Sequence, residues 1–184
     1  MQNQDKPYLI LIGGPSGSGK STLARTIINS FHPLPFYMFE ADDYFNKNSE
    51  YNFNPKGLGQ AHKECWNNVL YNIKHGYNTI VSNTFTTHKE TERYLNLNNC
   101  QVYYTFPNRI RHMDIEDFCK SSIHKVPKET IKKQYDRWFD YVNNNMDLSH
   151  YLISEEDLLE KLEKEREKYV ESRNTVLHGE PKSR

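Results

Sequence analysis

Two groups of residues in this 184-residue chain have the types and spacing to handle phosphate. The run Gly14-Pro15-Ser16-Gly17-Ser18-Gly19-Lys20-Ser21 fills every fixed position of the pattern G-x-x-x-x-G-K-[ST]. A loop that wraps polyphosphate must bring backbone N–H groups within hydrogen-bonding distance of oxygen, and glycine permits that approach. Lys20 is placed to meet the β/γ-phosphates, and the Ser21 hydroxyl is a ligand for Mg²⁺. With Thr22, these residues form the expected binding set for ATP. The second group is Asp42-Asp43. A carboxylate facing a bound γ-phosphate can take the proton of an attacking hydroxyl, while its neighbour can hold metal-bound water or cap a helix.

Transfer of phosphate also needs cations on the moving group. Arg109, Arg111, Lys120, His124 and Lys125 lie in one segment before a proline-started helix, a layout suited to a lid. Tyr44, Phe45, Tyr51 and Phe53 follow Asp42 and could stack on bases of a single strand or pack beneath a loop.

These groups need elements to position them. Tyr8 to Ile12 is an apolar run that reads as a buried strand, and Ser21 to Phe31 carries a helical pattern with Leu23, Ile27 and Ile28 on one side. Strand, glycine loop and helix thus follow in order, with a helix N-terminus facing the anion. Pro35 to Phe39 is a second strand ending at Asp42-Asp43. Leu58 to His75 is a long helix closed by Gly76, and Thr79 to Val81 a third strand ending at Ser82-Asn83-Thr84. Thr87-His88-Lys89-Glu90 reads as a capping box opening a helix to about Leu97. Val102 to Phe106 is a fourth strand, Asp114 caps a short helix, and Pro127 takes the first position of a helix to about Val142. Ser154 opens a charged last helix with a narrow stripe of Leu158, Leu159 and Leu162, and 174–184 reads as a frayed end.

Such alternation predicts an α/β fold, a P-loop NTPase with a doubly wound parallel sheet of kinase type and helices on both faces. Ligands in such sheets sit beyond the carboxyl ends of the strands. The glycine loop, Asp42-Asp43 and Ser82-Asn83-Thr84 should therefore converge. The expected division is a kinase domain over 1–150 and a charged helix with its tail over 151–184.

Bulk properties narrow the partners. Lys and Arg number 24 against 24 Asp and Glu, giving zero formal charge, which excludes a wholly basic nucleic-acid coat. Mean hydropathy is −0.90, and no apolar stretch approaches the roughly 18 residues of a membrane span. Cys65, Cys100 and Cys119 lack metal-ligand spacing, and an odd count predicts a reducing compartment, cytoplasmic or nuclear.

The run from Tyr8 to Tyr141 resembles the kinase domain of polynucleotide 5′-kinases, both the phage branch and, more closely, the animal Nedd-four-binding-protein group. The likeness rests on Gly14 to Ser21, Asp42-Asp43-Tyr44-Phe45, Leu58-Gly59-Gln60-Ala61-His62 with Asn67, Asn83-Thr84, and His124-Lys125-Val126-Pro127. It implies an ATP- and Mg²⁺-dependent kinase acting on a single-stranded nucleic-acid 5′ end, with Asp42 activating a 5′-hydroxyl. Lys20 and Ser21 would hold the β/γ-phosphates and Mg²⁺, with Asp43 at the metal. Asp43, Ser82, Asn83, Thr84 and Arg111 would line the acceptor site. The chain departs from the family in three places. Ser82-Asn83-Thr84-Phe85 stands for the group's Asp-Asn-Thr-Asn, Ser121-Ser122 for the lid's Arg-Asn, and Lys125 for a lid glycine. Lys120, Lys125 or Arg111 is then expected to supply the missing lid charge. Phe45 also replaces an acceptor-binding arginine of the phage branch. Two other readings stand beside this one: a small-molecule kinase for nucleosides or sugar nucleotides, and a nucleotide-binding interaction module with little transfer activity.

Overall fold

The computed structural model describes residues 6–47 and 50–177. Tyr8–Ile12 (β1) is followed by the glycine loop and Lys20–Ser30 (α1), then Phe36–Phe39 (β2) and a 3₁₀ turn over Ala41–Phe45. Asn46–Lys47 (β3) and Glu50–Tyr51 (β4) form a small antiparallel pair. Next come Leu58–Lys74 (α2), Asn78–Ser82 (β5), His88–Leu95 (α3), Gln101–Thr105 (β6) and a 3₁₀ turn over Asn108–His112. The chain continues through Ile115–Ser121 (α4), Lys128–Asn144 (α5), Met146–Ser149 (α6) and Glu155–Leu177 (α7).

β1 lies at the centre, paired in parallel with β5 on one side and β6 on the other, and the sheet order is β2-β5-β1-β6. Every residue of β1 is buried, which fits an unbroken apolar run covered on both faces. Side-chain alternation divides it. Leu9 and Leu11 join Val69, Ile73, Phe118, Ile131 and Trp138 beneath α2, α4 and α5. Tyr8, Ile10 and Ile12 join Leu23, Ile27, Leu158 and Leu162 beneath α1 and α7. The doubly wound arrangement follows from this two-sided burial. The leucine stripe of α7 does pack by its first turns, since Leu158 and Leu162 are fully buried. The 151–153 segment ties that helix to the sheet: Tyr104 N–H donates to the Tyr151 carbonyl at 2.7 Å, and Ile153 N–H to the Tyr104 carbonyl at 3.0 Å.

Three local expectations are corrected. The capping box at Thr87 does not form in that register. The Glu90 carboxylate accepts from the Thr86 N–H at 2.6 Å, one residue earlier, because Thr86 is the buried member of the pair. Pro127 sits just before α5, not in it, and its carbonyl accepts from Thr130 and Ile131. The last helix runs through Asn174 to Leu177, and the rest of the expected frayed end, 178–184, lies outside the described residues. No helix among the described residues is long and apolar enough to cross a membrane. All three thiols are free.

Candidate functional site

The glycine loop is fixed to the sheet from below. Gly13 N–H donates to the Thr105 carbonyl and Gly14 N–H to the Thr84 carbonyl, each at 2.9 Å, so the ends of β6 and of the β5 loop set its height. Within the loop, the Pro15 carbonyl accepts from Ser18 N–H at 3.2 Å and from Lys20 Nζ at 2.9 Å. Gly19 precedes α1 at φ +93°, in the left-handed region. Gly17, at φ +80°, lies so close to α4 that a Cβ there would stand 2.0 Å from the Phe118 carbonyl oxygen. The backbone of α4 therefore rests directly on the phosphate loop. From α5, Gln134 Oε1 accepts the Ser16 N–H at 2.9 Å.

Lys20 is partly covered, and burial pulls its ammonium down to about 8, although the charges of Glu40 and Asp42 push it back up. Both carboxylates come from the end of β2, so the first two strand ends do converge. Glu40 is the functional candidate that sequence reasoning missed. Its Oε1 accepts the Ser21 hydroxyl at 2.5 Å. A hydroxyl and a carboxylate oxygen side by side at the loop's mouth are hard ligands of the kind that suit Mg²⁺ with phosphate and water. The signal available in the sequence was only its place at a strand end, one residue before Ala41-Asp42-Asp43.

Asp42 and Asp43 take different positions in the turn. Asp43 closes a reciprocal cap with Glu40: its Oδ2 accepts the Glu40 N–H at 3.0 Å. Burial and the Glu40 charge raise its pKa, against the lowering by that bond and by Arg25. Asp42 is held by its backbone and keeps its side chain half-exposed, 3.9 Å from His124 Nε2. The His124 ring stacks on Tyr51 with centroids 3.7 Å apart and planes 20° from parallel. Burial, then the Asp42 charge, pushes the Tyr51 hydroxyl up to about 12. His62, from the head of α2, is also within reach of the Asp42 field. Its pKa is lowered by burial and then by Arg93, against the raising effect of Glu90 and Asp42. Of the aromatic residues after Asp42, Phe45 is core, meeting Tyr44, Tyr51 and Phe53 edge-on.

The third strand end arrives as support. Asn83 is buried, and its Oδ1 accepts the Ala41 N–H at 2.9 Å, so it fixes the Asp42 turn. The Ser82 hydroxyl is buried beside Ile12 and has no hydrogen-bond partner among the described residues. Thr84 holds Gly14 through its carbonyl and is partly exposed. In the segment expected to form a lid, Lys120 and Lys125 are exposed, and Lys125 adopts φ +50°, the left-handed geometry that glycine favours. Arg111 lies over the Phe106 ring at 5.5 Å and within the field of Glu156. Arg109 instead lies beside Gly19.

The sequence pattern described as an AAA domain matches residues 9–137. Human NEDD4-binding protein 2 is 30% identical over 139 residues, which is 73% of this chain and 8% of that protein, so the chain spans a small part of this relative. A uridine kinase from Ligilactobacillus salivarius is 38% identical over 50 residues, 27% of this chain and 24% of the enzyme. A chain of the Pnkp1/Rnl/Hen1 RNA repair complex superposes with a TM-score of 0.57 at 18% identity, over 75% of this chain and 46% of that one. That likeness shows a shared fold. With the glycine loop, its lysine and its strand-end carboxylates all inside the matched span, the chain belongs to the AAA-domain family and to its P-loop kinases.

Proposed function

We propose that the chain is an ATP-dependent phosphotransferase that moves the γ-phosphate to a 5′-hydroxyl of RNA or DNA, with Asp42 as general base. One observation carries this reading. Asp42 is the carboxylate of the three that makes no hydrogen bond among the described residues, its side chain half-exposed, while Glu40 and Asp43 are engaged with Ser21 and with each other. Next to its open side are the stacked rings of Tyr51 and His124, suited to a nucleobase. The match to NEDD4-binding protein 2 and the fold shared with an RNA repair complex support a polynucleotide acceptor.

The acceptor oxygen attacks the γ-phosphorus, the bond to the bridging oxygen breaks, and ADP departs. Asp42 accepts the hydroxyl proton as the new bond forms. Lys20 meets the β/γ-phosphates as charge moves onto the leaving group. Mg²⁺, when bound, neutralises charge on the β- and γ-oxygens, and Ser21 with Glu40 would hold it. Asn83 and the Glu40–Asp43 cap keep Asp42 in place.

A small-molecule acceptor is favoured by one observation, the matches to uridine kinases, which span 50 to 79 residues and at most 42% of this chain. The test is γ-phosphate transfer to a panel of 5′-hydroxyl oligonucleotides, nucleosides and sugar nucleotides. Asp42→Asn should keep ATP binding and slow transfer by about 10²–10⁴-fold, whereas Asp43→Asn should act mainly on stability. Label on small molecules alone selects the second acceptor class. ATP binding with no transfer to anything, or equal small losses in both variants, would leave a nucleotide-binding module.

A further inference from the structure

The lid helix carries Ser121 at its last position, a residue that cannot supply charge. A P-loop kinase still needs positive charge on the phosphates from the lid side, because Lys20 approaches from within the loop. We propose that Arg109, from the turn after β6, supplies this cation by closing on the α/β-phosphates. The proposal rests on the kinase reading alone and not on the identity of the acceptor.

Three observations place it. First, Arg109 Cδ lies 3.2 Å from where a Cβ on Gly19 would stand, with Nη1 at 3.6 Å and Nε at 3.9 Å. Gly19 belongs to the stretch whose N–H groups cradle the α/β-phosphates. A guanidinium covering that residue borders the groove that a polyphosphate fills. Second, the group is held in orientation. Nε donates to Met113 Sδ at 3.2 Å and Nη2 to the Ser121 hydroxyl at 3.4 Å, so two corners of the planar fork are fixed while Nη1 remains. Third, both partners are neutral, and among the described residues no carboxylate pairs with Arg109. A cation oriented by neutral groups beside an anion-binding loop can spend its charge on the ligand.

The other arginines near the site are engaged elsewhere. Arg111 lies over Phe106, and Arg93 lies between the rings of Trp66 and Tyr94. Arg25 faces Asp43. The contact with Ser121 also explains why a serine suffices there: the guanidinium arrives from a different element and needs only a small acceptor to dock on.

The test uses Arg109→Gln, which drops the charge and keeps a neutral amide donor on a shorter side chain. Phosphate release from MgATP to water, transfer to an oligonucleotide, and affinities for ATP and AMP are each measured. Turnover should fall about 10²-fold or more. ATP affinity should fall relative to AMP affinity, and the thermal midpoint should stay near that of the wild type. Ser121→Arg should restore turnover in the Arg109→Gln background and add nothing in the wild type. A role as a mere latch between turn and lid predicts the reverse, a lowered midpoint with turnover and the ATP-to-AMP ratio intact. That result, or a turnover that Ser121→Arg raises in the wild type but fails to restore in the Arg109→Gln background, overturns the proposal. The hydrolysis and affinity arms need no acceptor, so a failed oligonucleotide reading leaves them decisive.

Discussion

Lys20 is a charge held where charge is costly, and this makes its removal stabilising. Its ammonium sits at about 8 in the folded chain against 10.5 for an ordinary lysine, with burial as the leading cause. At 1.36 kcal/mol per pH unit that difference is about 3 kcal/mol. Because the residue is partly open to water, screening lowers it to about 1–3 kcal/mol. Below pH 8 the group is charged in both the folded and unfolded chain, so the whole cost is present at pH 7. Between pH 8 and 10.5 the unfolded chain holds more protons, and stability rises with pH as the cost is relieved. Lys20→Met removes the charge and also the hydrogen bond to Pro15, worth about 1 kcal/mol. The net expectation at pH 7 is a gain of up to about 2 kcal/mol, roughly 2–4 °C in thermal midpoint per kcal/mol. The gap between variant and wild type should shrink between pH 8 and 10.5. Nucleotide should stabilise only the wild type.

The same depressed pKa has a signature in binding. Phosphate oxygens restore the proton, so MgATP binding at pH 8 should take up about half a proton, and none at pH 6.5. Calorimetry in buffers of different ionisation heat reads this directly. A Lys20→Met variant less stable than wild type at pH 7, or proton uptake absent at pH 8, would refute the reasoning.

Two further outcomes are expected. Glu40→Gln removes a charge that holds the Lys20 proton, so the midpoint of proton uptake should move below about 8. Transfer should slow by about 10–100-fold, since Ser21 loses its oriented carboxylate partner, as seen in single-turnover measurements. Lys125→Gly should stabilise the chain by about 0.5–1 kcal/mol in urea titration, because relief of the left-handed backbone exceeds the added chain entropy. Turnover should stay within a few-fold, and a hundredfold loss would transfer the lid cation from Arg109 to Lys125.

What could be read from the sequence was local. The glycine loop and its flanking strand and helix have a signature within a dozen residues and stand where expected, whereas Asp42-Asp43, expected at a strand end, lie in a 3₁₀ turn beyond it. Even the two-faced burial of the sheet was implicit in the unbroken apolar run of β1. The site's remaining logic depends on partners that no window contains. Gln134 meets Ser16 across 118 positions, and Asn83 meets Ala41 across 42. Glu40 was hidden for a different reason. Three acids crowd one strand end, and side-chain alternation breaks down where a strand passes into a 3₁₀ turn, so the one that faces Ser21 is set by the reciprocal cap with Asp43. That cap binds two of the three carboxylates to the turn and leaves Asp42 open. The division of labour proposed for acids that look equivalent in sequence therefore follows backbone geometry: the residue we assign as proton acceptor is the one the turn does not need.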